Sequence, residues 1–253
     1  MKIVTFNLRC DSESDGVNSF AHRKGAILDK IEAEQPDIIG FQECRPHMQA
    51  FLKAHLLGYE LFGRQRGGEW SESNPIAFRE DKFELIGLET QWLSPTPFEP
   101  GTRYEIQSMC PRVFTHMVLE PVGGGSPIHV INTHLDHESE AARLQGAKHL
   151  IRYMLGVLAD RPYPLLLMGD FNAFPDEACI EALLGNEMLQ LTEQTAGIAH
   201  TYHGYGTVEQ PRIDYILSRD FDRVLPVKVW ADEANGVYLS DHYPVMAQLR
   251  PLR

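Results

Sequence analysis

Long apolar runs are missing from this sequence of 253 residues. A membrane-spanning helix needs about 20 consecutive apolar residues, and the longest apolar run, at residues 164–168, is far shorter. Residues 1–7 are typical of a β-strand, and they lack the apolar core and cleavage site of a secretory signal. We therefore expect no transmembrane segment and a cytoplasmic protein, or a secreted or periplasmic protein if a signal peptide has been removed.

Cysteine is scarce and scattered. Cys10, Cys44, Cys110 and Cys179 show no Cys-x-x-Cys spacing and no paired histidine motif. This spacing does not indicate a structural zinc site or a disulfide framework. We expect buried or half-buried thiols in a reducing compartment.

Basic residues are in the minority. The chain has 23 Lys and Arg against 35 Asp and Glu, which gives a formal net charge of −12. Proteins that bind long nucleic acids usually carry a basic surface, so DNA or RNA is disfavoured as the main substrate without being excluded. Carboxylates grouped around a divalent cation would explain part of the negative charge.

Low-complexity segments and long linkers are also missing. Hydrophobic residues make up 43% and charged residues 23% of the chain, which are ordinary values for a folded globular protein. We therefore predict a single domain over residues 1–253.

The apolar pattern predicts a strand–helix–strand unit in each half of the chain. The first unit is a strand at residues 3–7, a helix that contains Ile27, Leu28 and Ile31, and a strand at 38–41. The second is a strand at 128–133, a helix at 138–158 and a strand at 165–168. Further strands are predicted at 75–78, 83–92, 113–119, 213–217, 224–230 and 245–249. Many strands and few helices indicate two packed sheets flanked by helices.

Polar side chains lie just past the carboxyl ends of these strands. They are Asn7, Glu43, His134, Asp170 and Asn172. Because α/β folds bind ligands at the carboxyl ends of strands, we expect these residues to converge. Two long loops, at 63–75 and 93–111, are expected to form walls of the site.

Six short motifs, in order along the chain, resemble those of the endonuclease/exonuclease/phosphatase superfamily, which includes pancreatic deoxyribonuclease. They are Thr5-Phe6-Asn7, Gln42-Glu43, Asn132-Thr133-His134, Gly169-Asp170-Phe171-Asn172, Arg212-Ile213-Asp214-Tyr215 and Ser240-Asp241-His242. With Trp92-Leu93-Ser94 and Cys110-Pro111-Arg112, the layout is most similar to a bacterial branch of metal-dependent hydrolases. The resemblance implies an α/β (α+β) fold, a four-layer αββα sandwich of two packed mixed sheets flanked by helices. It also implies a phosphate ester hydrolase that requires Mg²⁺, for which Mn²⁺ could substitute.

The resemblance assigns the metal site to three residues. Glu43 would be the principal Mg²⁺ ligand, Asn7 would orient the site or ligate through its amide oxygen, and Asp241 would ligate through water. Hard oxygen donors suit Mg²⁺ or Mn²⁺ better than zinc. Taken alone, Glu43 could instead be a solvated strand end or a salt-bridge partner.

The expected catalytic residues are His134, Asp170, Asn172, Asp214 and His242. Asp214 is the expected partner of His242, because a carboxylate on one ring nitrogen fixes the tautomer and raises the basicity of the other. Asp170 and Asn172, two residues apart, could face one pocket as a water-orienting carboxylate and an amide donor to phosphate. A plain Asx turn is the alternative. His134 resembles a histidine that contacts the phosphate or protonates the leaving oxygen, although a histidine at a strand end is more often structural.

The sequence indicates the substrate-binding residues less clearly than the catalytic residues. Arg103 and Arg112 could clamp a second phosphate or a carboxylate, and aromatic rings could stack on a sugar or base, namely Trp70, Trp92, Tyr202 and Tyr205. Trp92 could instead be core and Arg103 a solvated charge. Three functions stay open: a hydrolase of small phosphate esters, which the charge favours, a nuclease, and a binding module without turnover.

Overall fold

The structure is a computed structural model that describes residues 1–68 and 71–252. Its strands are β1 (Lys2–Asn7), β2 (Ile38–Gln42), β3 (Tyr59–Phe62), β4 (Ile76–Arg79), β5 (Phe83–Trp92), β6 (Val113–Pro121), β7 (Ile128–His134), β8 (Leu165–Asp170), β9 (Thr192–Glu193), β10 (Asp214–Arg219), β11 (Phe221–Arg223), β12 (Lys228–Val229), β13 (Glu233–Ala234), β14 (Val237–Tyr238) and β15 (Val245–Pro251). Its helices are α1 (Phe20–Glu34), α2 (Pro46–His55), α3 (Glu140–Asp160), α4 (Ala178–Leu184) and the 3₁₀ helix Glu13–Asn18. Among these described helices, none is long and apolar enough to cross a membrane.

Two mixed sheets form the centre of the fold. The first has the order β11-β15-β1-β2-β4-β3, with β12 also paired to β15, and the second has the order β5-β6-β7-β8-β10-β9. In each sheet one pair is parallel, β1 with β2 and β7 with β8. A parallel pair needs a crossover connection, and α1 and α3 supply it. The two predicted strand–helix–strand units are therefore confirmed.

The sheets stack face to face, and helices cover their outer faces. Ile38 and Leu166 belong to the apolar layer between the sheets. The next residue on each strand points the other way, because strand side chains alternate. Ile39 accordingly packs with α1 and α2, and Leu167 packs with α3 and α4. The predicted four-layer αββα sandwich is confirmed.

A buried polar contact joins the two sheets near the carboxyl ends of β2 and β7. The Asn132 amide donates to the carbonyl oxygens of Phe41 (2.7 Å) and Pro75 (3.0 Å), and Gln42 Nε2 donates to Asn132 Oδ1 (2.7 Å). Gly40 makes room for it, since a Cβ there would lie 2.8 Å from Asn132 Oδ1. Because buried polar groups need such partners, this contact fixes the ends of β2 and β7 relative to each other.

The strand predicted at 224–230 is wrong in extent, because only Lys228–Val229 of this range is a strand. The structure has two short strands, β11 and β12, that pair with different parts of β15. Pro226 lies between them, and proline has no N–H to donate to a sheet. The helix predicted at 138–158 is α3, which begins after Ser139, whose Oγ accepts from Ala142 N (3.1 Å). Helix α2 was not predicted.

Candidate active site

A cleft of about 330 Å³ opens at the carboxyl ends of the central strands. Most of the residues predicted for the site line it: Glu43, Arg112, His134, Asp170, Asn172, Tyr202, Asp241 and His242. Asn7 and Asp214 are buried beneath it, each 1% exposed. The structure thus brings together the polar residues of both strand–helix–strand units.

Asn7 connects the two halves of the site. Its Nδ2 donates to Glu43 Oε1 (3.0 Å) and to Asp170 Oδ2 (2.9 Å), and its Oδ1 accepts from the backbone N–H of Arg9 (2.8 Å). The amide nitrogen therefore faces the carboxylates. This geometry suits the predicted orienting role better than ligation through the amide oxygen.

Glu43 follows β2 and has a left-handed backbone (φ 58°). Such a conformation costs a non-glycine residue about 1–3 kcal/mol and is concentrated at functional sites. Glu43 Oε2 accepts from Cys10 N (2.7 Å). Burial alone would raise the pKa of Glu43, but the hydrogen bonds from Cys10 and Asn7 and the positive charges of His242 and Arg9 lower it. The carboxylate is therefore ionised at neutral pH, as a metal ligand must be.

His242 and Asp214 form a buried pair. His242 Nδ1 donates to Asp214 Oδ2 (2.8 Å), because a carboxylate can only accept. Burial opposes the charge on His242, but the carboxylates of Asp214 and Asp170 raise its pKa to about 10. His242 Nε2 lies 3.8 Å from Asp170 Oδ2. At neutral pH His242 is therefore a cation that faces the cleft, and the Tyr202 ring packs against it edge-on at 5.0 Å.

Asp170 and Asn172 form an Asx turn and also face one pocket, so both alternatives from the sequence hold. Asn172 N donates to Asp170 Oδ1 (2.8 Å), which is the Asx turn, and both side chains line the cleft. The Asn172 amide also donates to Leu135 O (3.1 Å). Burial and the neighbouring charge of Asp214 raise the pKa of Asp170 to about 7. Asp170 can therefore exchange a proton near neutral pH.

The turn depends on Gly169, whose φ of 150° favours glycine. A Cβ at this position would lie 1.9 Å from Thr133 O on the neighbouring strand. No side chain fits there, so glycine is required for β8 to end against β7.

His134 lies beside this pair. Its Nε2 is 3.4 Å from Asp170 Oδ2, and its buried Nδ1 has no hydrogen-bond partner within residues 1–68 and 71–252. Burial, together with the positive charge of Arg112, lowers the pKa of His134 well below its ordinary value. The ring is therefore neutral at neutral pH.

Among the described residues, three overlapping groups at the cleft could hold a metal ion. Ligand atoms of Glu43, His134 and Asp170 lie within 4.8 Å of one another, as do those of Cys10, Glu43 and Glu72 and those of Asp170, Asp214 and His242. Carboxylates outnumber the single imidazole in the first group, and this donor set fits a hard divalent cation. Asp241 is on the same cleft, 3.7 Å from Arg9 Nε.

The sequence did not single out several residues that line the cleft. Cys10, Arg66 and Glu72 all do so, and Arg66 pairs with Glu72 at 3.0 Å. Burial and the nearby Glu43 raise the pKa of Glu72, while Arg66 opposes this. Arg66 and Glu72 lie in the loop at 63–75, which was predicted to form a wall of the site, so the sequence contained an indication of these two residues.

Only some of the residues predicted to contact the substrate lie at the cleft. Arg112 and Tyr202 line the cleft. Tyr205 donates instead to Asp15 Oδ2 (3.3 Å), and Arg103 lines a different depression, so neither position matches the predicted role. Trp92 is 1% exposed and packs in the interior, which rules out its stacking on a substrate in this structure. Trp70 lies outside the described residues.

Known proteins share both the sequence motifs and the fold of this chain. The model of the endonuclease/exonuclease/phosphatase family matches residues 4–242. The chain belongs to this family, whose members are phosphoesterase hydrolases.

Individual relatives support the assignment. Nocturnin of Drosophila melanogaster is 28% identical over 209 residues, which cover 76% of this chain but only 29% of the fly protein. A Bacteroides vulgatus endonuclease/exonuclease/phosphatase structure superposes with a TM-score of 0.91 at 27% identity, covering 99% of this chain and 98% of the other. The mannosyl-6-phosphatase of Bacteroides thetaiotaomicron shares the fold, with a TM-score of 0.87, 24% identity and 99% of both chains covered.

Proposed function

We propose that this chain is a Mg²⁺-dependent hydrolase that cleaves phosphate esters of small organic molecules by in-line attack of water. The observation that carries the proposal is the hydrogen-bonded set at the cleft, in which Asn7 links Glu43 to Asp170 and Asp214 holds His242. An ionised carboxylate, a carboxyl group with a pKa of about 7 and a buried cation lie together there. Phosphoryl transfer to water needs such groups.

Glu43 would hold the metal ion, Asp241 would add an oxygen ligand through water, and Asn7 would keep Glu43 in place. When bound, a divalent ion supplies positive charge for the phosphoryl oxygens. Mn²⁺ has similar oxygen preferences and could replace Mg²⁺.

The side chains of the protein supply the remaining chemistry. Asp170 orients the attacking water and can accept its proton, because its pKa is about 7. The His242 cation, with His134 and Asn172, stabilises the negative charge that develops around phosphorus. Asp214 is a positioning residue, because it contacts His242 and is buried beneath the cleft.

Cleft size and net charge favour a small substrate. A volume of about 330 Å³ is near the lower end of the range for small-molecule pockets. A net charge of −12 repels a polyanion at long range, while local cations can still attract one or two phosphates.

A substrate panel tests the proposal. Phosphomonoesters, phosphodiesters and duplex DNA would be assayed with Mg²⁺, Mn²⁺ and EDTA at several salt concentrations, with Asp170→Asn as the control for contaminating activity. We expect metal-dependent hydrolysis whose kcat/KM on a small ester exceeds that on duplex DNA per bond. Efficient duplex cleavage that declines steeply with salt, without turnover of small esters, would favour a nuclease. Binding without turnover of any substrate would favour a binding module.

A further inference from the structure

Arg112 is a buried cation whose hydrogen-bonding capacity is largely unused. It precedes β6, is 3% exposed and lines the cleft. Its Nη2 donates to His137 Nδ1 (2.8 Å), but Nε and Nη1 have no partner in the part of the chain that the structure describes. Three N–H groups are therefore free. A buried charge with free donors is costly unless another group satisfies it.

The nearest carboxylate does not satisfy Arg112. Asp136 Oδ2 lies 3.9 Å from Arg112 Nε, which is too long for a hydrogen bond. Asp136 already accepts from the backbone and hydroxyl of Ser108 and from the backbone N–H groups of Glu138 and Ser139. Its carboxylate oxygens therefore already accept hydrogen bonds within the loop that leads into α3.

His137 holds the guanidinium in place without neutralising it. Arginine can only donate, so His137 Nδ1 must accept and its proton must be on Nε2. Burial and the charge of Arg112 lower the pKa of His137, which keeps the ring neutral. Arg112 therefore remains a cation at the wall of the cleft, paired with Asp136 at 3.9 Å but with its Nε and Nη1 donors unused within the described residues.

The position of Arg112 is close to the proposed reaction centre. Arg112 and His134 line the same cleft, and its charge is one of the causes that lower the pKa of His134. His134 is in turn 3.4 Å from Asp170. A substrate oxygen that accepts a hydrogen bond from Arg112 would thus belong to the phosphate under attack rather than to a distant part of the substrate.

We propose that Arg112 binds a non-bridging oxygen of the scissile phosphate and makes the enzyme selective for phosphomonoesters over phosphodiesters. This inference rests on the proposed function. A monoester has a third terminal oxygen and nearly a second negative charge at neutral pH. In a diester that oxygen is esterified, and the organic group on it can neither accept from Arg112 nor fit easily beside a residue that is only 3% exposed.

Two esters with the same leaving group test this proposal. The probes are p-nitrophenyl phosphate and methyl p-nitrophenyl phosphate. In the parent enzyme we expect the higher kcat/KM on the monoester. Arg112→Met should lower kcat/KM about 100-fold on the monoester and less than about fivefold on the diester, because a charged hydrogen-bond partner is lost for one substrate only. Arg103→Met, in the other depression, is the matched control and should change neither value.

Two further measurements separate substrate binding from a structural role. Arg112→Met should keep or raise the melting temperature, because it removes a buried cation with unused donors while Asp136 keeps its hydrogen bonds from Ser108, Glu138 and Ser139. Arg112→Lys should recover part of the monoester activity. Inorganic phosphate, titrated by calorimetry, should bind the parent at least tenfold more tightly than Arg112→Met. A parent that prefers the diester, or a substrate ratio that Arg112→Met leaves unchanged, would overturn the proposal.

The phosphate titration also distinguishes a failure of this inference from a failure of the proposed function. If neither ester is hydrolysed, the proposed function fails, and the titration still decides the role of Arg112. Equal phosphate affinity in the parent and in Arg112→Met would show that Arg112 does not bind the anion.

Discussion

The replacement Asp214→Asn tests the buried charge pair. Asparagine has nearly the same shape as aspartate, so the side chain can still accept from His242 Nδ1, now 2.8 Å from Asp214 Oδ2. The negative charge is lost. Because Asp214 is the largest of the influences that raise the pKa of His242, the variant should hold this histidine as a cation much less strongly.

The expected size of the effect follows from the pKa of His242. The difference between its ordinary value of 6.5 and about 10 corresponds to about 5 kcal/mol of preference for the cation. If Asp214 and Asp170 share this preference, removing one carboxylate costs about 2–3 kcal/mol, or a roughly 100-fold shift toward the neutral ring. At pH 6 the ring stays protonated in both proteins, whereas at pH 9 it stays protonated only in the parent.

The assay is kcat on a small ester from pH 6 to pH 9. The deficit of Asp214→Asn relative to the parent should grow about tenfold over this interval. Stability should change as well. A raised histidine pKa stabilises the fold below pH 6.5, and this contribution is lost as pH rises from 6.5 through about 10. The difference in free energy of unfolding between parent and variant should therefore shrink toward pH 10. A deficit that is equal at every pH, or no deficit, would refute a role for the charged pair.

Two other predictions concern the metal site and the strand end. EDTA should abolish hydrolysis. Glu43→Gln should need about 10–100-fold more Mg²⁺ for half-maximal activity, because a neutral amide binds the ion weakly. A Mg²⁺ titration of the activity measures this requirement, and Glu138→Gln, at an exposed position, is the control. Gly169→Ala should lower the free energy of unfolding in urea by more than about 3 kcal/mol, since its Cβ would lie 1.9 Å from Thr133 O. Gly156→Ala in α3, where a Cβ meets no atom of the described chain within 4 Å, should stabilise the protein by up to about 1 kcal/mol.

Each of these predictions has a contrary result. Full activity in EDTA, or the same Mg²⁺ requirement in Glu43→Gln and the parent, would show that Glu43 does not hold the essential ion. If Gly169→Ala and Gly156→Ala unfolded at the same urea concentration, the close approach of Gly169 to Thr133 would not constrain the fold.

The elements that position the site could be predicted from the sequence. Short apolar runs and one long amphipathic segment predicted β1, β2, β7, β8 and α3, because these patterns reflect local backbone geometry. The carboxyl ends of parallel strands joined by a helix must lie at one edge of a sheet. The convergence of Asn7 with Glu43, and of His134 with Asp170, could therefore be expected within each strand–helix–strand unit. The break at Pro226 could also have been expected from proline chemistry, although the prediction ran one strand through this residue.

Which polar atoms meet depends on how the two sheets and the loops pack together. Asn7 Nδ2 bridges two carboxylates that are far apart in sequence, and this bridge requires the two sheets to stack in one register. The same packing buries Trp92, places Arg103 in another depression and leaves Arg112 with free donors. These outcomes depend on how two long loops fold against the sheets. Local propensity does not encode that arrangement, because it arises from contacts between distant segments and from the burial of charge.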